Sequence, residues 1–276
     1  MNKVLAISGG VDSMVLLHLF LDDPDIIVAH FNHGTRPSAD DDEIFVRDFC
    51  AEHHIPFCSE KLLLGENVSE ERAREARYTF LRRIAQEYHA EIYTAHHTDD
   101  LVESIAINLL RGTGHRGLAP LTALGIRRPF LDRGWSKRDI LRYASEHSVT
   151  FRQDPTNVSD DYLRNRVRAI TRDLPASTKQ SLYDLFLSQK SIEAEISTIL
   201  ECIVPEDNHF YRADFAELDS AVAMEILRFA LSKVGISATR PQLADFLTAI
   251  RTYRPGKKFN LPDDQLVRLD KNYFML

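Results

Sequence analysis

Short apolar runs alternate with segments of helical periodicity along the first half of the chain. The apolar runs lie at residues 4–7, 26–31, 55–57 and 92–95. The helical patterns that separate them cover residues 14–21, 41–53 and 70–88. Continuous apolar runs are typical of strands buried on both faces, and strands that alternate with helices indicate a parallel sheet. The first half of the chain is therefore predicted to be a Rossmann-like α/β domain.

The pattern changes after about residue 127. A basic segment leads into a helix that Ser136 and Asp139 are spaced to cap, and the turn-forming sequence RQDPTN follows. Beyond Pro175 the helical patterns cover residues 177–200, 221–234 and 241–251, and the stretch from residue 257 alternates like small strands. We expect one α/β domain over residues 1–175 and a smaller, mainly helical domain with terminal strands over residues 176–276.

The first predicted strand runs directly into the sequence SGGVDS, residues 8–13. Gly9 and Gly10 permit backbone conformations that other residues avoid, and the helix that follows presents unpaired amides to an anion. Ser8 and Ser13 add hydroxyl donors. A structural glycine turn is the alternative interpretation.

Asp12 is the unexpected member of this loop, because its carboxylate would repel a bound phosphate. A divalent cation between them removes the conflict, so we interpret Asp12 as a Mg²⁺ ligand. The chain has neither the Walker pattern GxxxxGKS/T nor the dinucleotide pattern GxGxxG at this position. ATP hydrolysis of the motor type is therefore disfavoured.

Composition narrows the class of protein further. The chain of 276 residues has three cysteines, Cys50, Cys58 and Cys202, whose spacing fits neither a CxxC pair nor a metal site. Reduced thiols, the absence of a secretory signal and the absence of a 20-residue apolar run predict a cytoplasmic protein without membrane contact.

The net charge of −7 argues against a nucleic-acid surface over the whole chain, but the basic residues are clustered. One cluster consists of Arg111, Arg116, Arg127, Arg128, Arg133, Lys137, Arg138 and Arg142. A second consists of Arg164, Arg166, Arg168 and Arg172. Solvated helix faces and a local nucleic-acid contact are both consistent with this clustering.

Polar residues also gather where the predicted strands end, which is where parallel sheets bind ligands. The second strand is followed by Asn32, His33 and Arg36, and the helix of residues 70–88 carries Arg74 and Arg77. Two histidines in HFNH lack the companions of a zinc site, so we favour a polar loop over a nucleotide. The strand EIYTAHH leads to Asp100 and Glu103, which share one face of a helix's first turn. These acids either complement the helix dipole or hold an ammonium group.

Taken in order, seven motifs closely resemble the tRNA(Ile)-lysidine synthetase family, which belongs to the N-type ATP pyrophosphatases. They are SGGVDS, HFNHGTRP, ERAREARYTFL, AHHTDDLVES, RGTGHRGL, RRPFL and DPTN…YLRNRVR. The resemblance covers at least Val4 to Arg168, and GKKFNLPDDQLVR resembles the family's region beyond the catalytic domain. It implies an adenine nucleotide α-hydrolase-like fold over residues 1–175 and a tRNA-contacting domain over residues 176–276.

The same resemblance implies an activity. Family members use ATP, with Mg²⁺, to adenylate carbon 2 of the wobble cytidine in a tRNA(Ile) with a CAU anticodon. The ε-amine of L-lysine then displaces AMP, so the products are lysidine, AMP and pyrophosphate. A homodimer is compatible with the family. Thr35 stands where the family usually has leucine, and the chain is shorter than the members with a further carboxyl-terminal domain.

The resemblance also assigns roles to individual residues. It places ATP on Ser8, Gly9, Gly10, Asp12 and Ser13. It places lysine on Asp100 and Glu103. Asn32, His33, Arg74, Arg77, Arg164, Arg166 and Arg168 are implied to bind substrate, and the catalytic group is implied to be Asp12, Asp100, Glu103 and Arg111.

Two other functions remain open at the level of sequence. A tRNA sulfurtransferase would share the adenylation step but would need cysteines placed for persulfide or cluster chemistry, and Cys50 and Cys58 are the only nearby pair. A non-catalytic ATP-binding module would leave bound ATP intact.

Overall fold

The structure is a computed structural model that describes residues 1–34, 39–62, 70–123, 125–152, 163–262 and 264–276, without the side chains of residues 70, 71 and 163–165. The chain forms two compact units, Met1–Lys190 and Ser191–Leu276. Arg36 and most of the RQDPTN turn lie outside the described residues. Among those that are described, no helix combines the length and apolar character that crossing a membrane requires.

The first unit contains the predicted parallel sheet. Its strands are β1 (Lys3–Ala6), β2 (Ile26–Asn32), β3 (Phe57–Lys61), β4 (Glu91–Tyr93) and β5 (Ile126–Arg127). They lie in the order β3-β2-β1-β4-β5, and every neighbouring pair is parallel. The strand order therefore reverses between β1 and β4, which creates a crevice at the carboxyl ends of these two strands.

Helices cover both faces of this sheet. They are α1 (Val11–His18), α2 (Ala39–Glu52), α3 (Glu70–Glu87), α4 (Thr98–Leu110), α5 (Pro129–Asp132), α6 (Lys137–Glu146) and α7 (Leu163–Arg172). Leu5 and Ile7 pack among side chains of α1, α2 and α6, whereas Val4 packs on the opposite face against α3. Burial on both faces explains why the β1 sequence is continuously apolar.

Two strands differ from the predictions. The third strand begins at Phe57 rather than at residue 55, because Ile55 packs in the core as a loop residue and the edge strand continues through polar Ser59 and Glu60. β5 was not predicted, since two residues are too few to show a periodicity. The Ser136–Asp139 cap of α6 is confirmed as a reciprocal capping box.

A long helix, α8 (Ala176–Ile203), begins directly after the predicted domain boundary at residue 175, and the division between the compact units falls within it. The second unit adds β6 (His209–Tyr211), α9 (Arg212–Glu217), α10 (Ser220–Lys233), α11 (Arg240–Thr252), β7 (Lys257–Asn260), β8 (Leu266–Leu269) and β9 (Tyr273–Met275). The strands form an antiparallel sheet in the order β6-β9-β8-β7, and its core includes Phe210, Phe246 and Phe274.

Candidate active site

The SGGVDS loop connects β1 to α1 at the strand-order reversal. Gly9 has φ +91°, a left-handed conformation that favours glycine, although a Cβ there would only touch Val46 at an ordinary 3.5 Å. The Ser13 hydroxyl donates to the Gly10 carbonyl at 2.8 Å and accepts from the Ser8 amide at 3.2 Å. These two bonds fix the loop at the positive end of α1, whose cap residue Gly10 makes no side-chain capping bond.

Arg152 fastens this loop to α2. Its amide donates to the Gly9 carbonyl at 2.9 Å, and its Nε donates to Asp42 Oδ1 at 2.8 Å. Sequence reasoning did not select Arg152, because the first residue of the RQDPTN turn carries no periodic signal.

Asp12 lies in the first turn of α1, where Lys137 of α6 contacts it. Lys137 Nζ is 2.6 Å from Asp12 Oδ1, and the two side chains are 40% and 33% exposed. The carboxylate therefore lies at the loop with partial access to solvent, as a metal-bridging role requires. Its predicted Mg²⁺ contact stays a prediction.

A second carboxylate, Asp99, joins the first turn of α4 to this region. Asp99 Oδ2 accepts from the Lys137 amide and Asp99 Oδ1 accepts from Lys179 Nζ, each at 2.8 Å. Burial acts to raise the pKa of Asp99, but the hydrogen bonds from Lys179 and the Lys137 amide outweigh it and hold the pKa below its ordinary value. The predicted site omitted Asp99, although it stands next to Asp100 in TDDLVES.

The two acids predicted to hold lysine lie at the same helix start. Asp100 Oδ2 accepts from the His97 amide at 3.0 Å and so completes the capping box of α4. Glu103 is 4% exposed, and Arg168 of α7 donates to both of its oxygens, at 2.8 and 3.4 Å. Hydrogen bonding to Glu103 raises the pKa of Arg168. Both acids therefore have a role in the fold: Asp100 caps α4, and Glu103 pairs α4 with α7 through Arg168.

Asn32 ends β2, and His33 follows it. The Asn32 amide group is 2% exposed and donates to Asp40 and Glu43 at the start of α2, at 2.9 and 3.1 Å. In the described contacts, Asn32 thus connects the end of β2 to the first turns of α2. Burial, aided by the charge of Arg77, lowers the pKa of His33 to about 4, so this imidazole is neutral at pH 7.

A basic cluster lines the crevice beyond β4 and β5. The guanidinium groups of Arg74 and Arg77 lie 5.2 and 5.4 Å from the Tyr78 ring centroid. Arg128, 6% exposed at the end of β5, has its Nε without a hydrogen-bond partner among the described residues. Burial lowers the pKa of His96 to about 3; Asp100 opposes this, while Arg128, Arg77 and Arg74 reinforce it. Arg74, Arg77 and Arg128 thus place positive charge beside Asp100, and this arrangement is suited to binding an anion. His96 was not predicted, although it lies in the motif AHH, and Arg128 was predicted only as a member of the basic cluster between Arg111 and Arg142.

The remaining predicted residues are more scattered. Arg111 is exposed just after α4 and lies about 16 Å along the helix axis from Asp100, at about 1.5 Å per residue. Arg166 is exposed on α7, and the Arg164 side chain lies outside the described residues. Three arginines of α7 were predicted to bind substrate: Arg164, Arg166 and Arg168. Among the described side chains of α7, Arg168 is the one that contacts an acid of the site, Glu103.

Comparison with known proteins identifies the family. A family profile described as a PP-loop domain matches residues 2–174. The tRNA(Ile)-lysidine synthase of Clostridium tetani is 38% identical over 60% of this chain and 38% of the relative, and that of Streptococcus mutans is 36% identical over 65% and 43%. The tRNA(Ile)-lysidine synthase of Chlorobaculum tepidum is 34% identical over 85% of this chain and 78% of the relative.

The chain therefore belongs to the PP-loop domain family and, within it, to the tRNA(Ile)-lysidine synthases. It spans less than half the length of the relatives from C. tetani and S. mutans. Among solved structures, a U34-tRNA thiolase from Methanococcus maripaludis superposes with a TM-score of 0.57 over 70% of this chain and 72% of that one, at 18% identity. That likeness supports the fold alone.

Proposed function

We propose that this protein ligates L-lysine to carbon 2 of the wobble cytidine in a tRNA(Ile) with a CAU anticodon, at the expense of ATP. One observation carries the proposal. Asp12 contacts Lys137 at 2.6 Å, and the Lys137 amide contacts Asp99 at 2.8 Å, beside the acids Asp100 and Glu103. The loop proposed to bind the nucleotide and the acids proposed to bind lysine are thus connected through Lys137 and Asp99, which supports a reaction between a nucleotide and an amine.

ATP is proposed to bind with its phosphates on Ser8, Gly9, Gly10 and Ser13. The open loop amides at the start of α1 support this placement. Asp12 is proposed to hold Mg²⁺, which neutralises phosphate charge. The described residues contain no cluster of three or more His, Cys, Asp or Glu side chains that could hold a metal. A single carboxylate fits Mg²⁺, which takes its other ligands from water and substrate phosphates.

The reaction then has two displacement steps. In the first, the cytidine oxygen on carbon 2 bonds to the α-phosphorus, and the bond to the β-phosphate oxygen breaks as pyrophosphate leaves with the electron pair. In the second, the lysine ε-amine bonds to carbon 2, and AMP leaves with the electron pair of the carbon–oxygen bond. The amine must lose its proton to be nucleophilic, so a nearby base has to accept it.

Lysine is proposed to bind at Asp100 and Glu103, where two carboxylates offset the desolvation of an ammonium group. The basic cluster of Arg74, Arg77 and Arg128 supports an anionic group next to them, either a phosphate of the nucleotide or the lysine carboxylate. The predicted catalytic role of Arg111 requires the tRNA or a conformational change to bring it closer.

The tRNA is proposed to contact the exposed arginines of α7 and the second unit. The structure describes two of the three α7 arginine side chains, Arg166 and Arg168. Arg166 is exposed, whereas Arg168 is paired with Glu103. Positive charge concentrated on one helix of an acidic chain suits a local contact with phosphates.

The sulfurtransferase alternative is less well supported. Cys50 is 1% exposed, and burial raises the pKa of its thiol to about 12, so it is a poor persulfide carrier. Cys58 lies on β3, with its sulfur 3.9 Å from the Tyr88 hydroxyl.

The activity is tested by measuring the products of ATP in the presence of lysine and unmodified tRNA. We expect AMP and pyrophosphate in equal amounts when tRNA and lysine are both present. With tRNA alone, pyrophosphate should be released once per tRNA and AMP should not be released. Asp12→Ala should abolish this release, and Asp132→Ala, which removes an exposed carboxylate of the same unit, should leave it unchanged. ADP as the main product would overturn the proposal.

A further inference from the structure

Lys137 holds a fixed position opposite the SGGVDS loop. The Ser136–Asp139 capping box fixes the first turn of α6, and the Lys137 amide is tied to Asp99. The Thr98 amide also donates to the Trp135 carbonyl at 2.9 Å, so the starts of α4 and α6 are connected on both sides of Ser136. The backbone of Lys137 is therefore restrained, while its flexible side chain can still change partner.

The loop itself supplies no cation to a nucleotide. Its donors are amides and hydroxyls, and its one charged member, Asp12, is negative. In a Walker loop a lysine of the same loop reaches the β- and γ-phosphates. Lys137 brings a cation to the equivalent place from another helix, since its Nζ is 2.6 Å from a carboxylate of the loop's first helical turn.

We propose that Lys137 leaves Asp12 for the β- and γ-phosphate oxygens when ATP and Mg²⁺ bind, and that it stays with pyrophosphate as that group departs. The inference rests on the proposed use of this loop for ATP. Asp12 would hold Mg²⁺ when that ion is bound, and the Lys137 ammonium group would then be free to donate to the phosphates. When the bond between the α-phosphorus and the β-phosphate oxygen breaks, the electron pair goes to pyrophosphate, and Lys137 stabilises it by donating hydrogen bonds without transferring a proton.

The competing explanation is that Lys137 only neutralises Asp12 in the folded protein. In that case its removal would alter stability but not the affinity for pyrophosphate. The two explanations therefore separate on ligand binding, which needs neither tRNA nor lysine.

The test is calorimetric titration of inorganic pyrophosphate, with Mg²⁺, into the full chain. Lys137→Met should weaken pyrophosphate binding tenfold or more, and Lys137→Arg, which keeps the charge, should restore most of it. Lys190→Met is the matched control, because Lys190 pairs with exposed Asp132 in the same unit at 3.6 Å. Thermal melting of each variant verifies that it is folded.

Unchanged pyrophosphate affinity in a folded Lys137→Met protein would overturn the inference. If that variant does not fold, Lys137→Gln and Lys137→Arg give the comparison, and equal affinities in these two would overturn it as well. If Lys137→Met binds pyrophosphate more weakly but the parent protein forms no lysidine, the proposed function is contradicted while the role of Lys137 stands.

Discussion

The Arg168 guanidinium on α7 donates hydrogen bonds to both carboxylate oxygens of Glu103 on α4, at 2.8 and 3.4 Å, and Glu103 is 4% exposed. The pair connects a residue that the family resemblance implies for lysine with one that it implies for tRNA or nucleotide. A buried carboxylate needs such a partner, because an unpaired charge in the interior is strongly unfavourable. The pair also means that substitution of either residue tests the fold as well as the function.

Arg168→Gln should therefore reduce the free energy of unfolding by about 1–2 kcal/mol, because it leaves the Glu103 carboxylate less well paired. Urea denaturation measures the change. Arg166→Gln is the matched control on the same helix; its side chain is exposed, so its effect should stay within about 0.5 kcal/mol. Equal effects of the two substitutions would show that the Glu103 pair contributes little.

Asp100→Asn and Glu103→Gln should each raise the KM for lysine roughly tenfold or more, since about 1.4 kcal/mol of ammonium binding corresponds to that factor. The KM for ATP should stay close to that of the parent protein. Asp219→Asn is the control, because Asp219 caps α10 in the second unit. An unchanged lysine requirement in both variants would return Asp100 and Glu103 to a purely structural role.

Binding of tRNA should weaken steeply with added salt, as the release of counterions from phosphates requires. Arg166→Gln should weaken it further and reduce the slope of log Kd against log salt by about one. Arg47→Gln, on α2 and paired with Glu43, is the control for a general loss of charge. The test should not use Arg168, since its loss also disturbs Glu103. Identical salt slopes in the Arg166 variant and the parent protein would exclude a phosphate contact at this residue.

His33, together with His96, should make stability fall with acid below about pH 6.5, and the contribution of His33 should end near pH 4. Its pKa in the folded protein is about 4, below the ordinary 6.5, so the unfolded chain binds the proton first. Proton uptake by the unfolded chain favours unfolding as the pH falls through this window. His33→Asn should therefore lose less stability between pH 7 and pH 5 than the parent protein, whereas His53→Asn, which alters an exposed histidine, should follow the parent. Parallel curves for all three proteins would contradict this account.

The sequence predicted the fold best where an apolar pattern extends over several residues or where capping residues lie close together. The buried strands of residues 4–7 and 26–31 and the capped helix at Ser136 are confirmed, because continuous apolar runs and capping residues are local signals. β5 and β6 have two and three residues, and they owe their structure to their neighbours in the sheet. Local patterns could not predict them.

The site shows the same division. The loop and the acid pair stand out in the sequence because unusual residues lie next to one another. Other contacts come from residues distant in sequence. Lys137 of α6 contacts Asp12, Asp99 of α4 contacts the Lys137 amide, and Arg152, after α6, contacts the Gly9 carbonyl. Such contacts join residues far apart in sequence, so no spacing rule could reveal them.

The central claim is tested most directly by the mass of one nucleoside. The full chain is incubated with ATP, Mg²⁺, L-lysine and unmodified CAU-anticodon tRNA(Ile), the tRNA is digested, and its nucleosides are separated and weighed. We predict that the wobble cytidine gains the mass of lysine less one water, and that omission of lysine or ATP prevents the gain. A sulfur-sized change would instead identify a sulfurtransferase, and an unaltered cytidine with intact ATP would contradict the account.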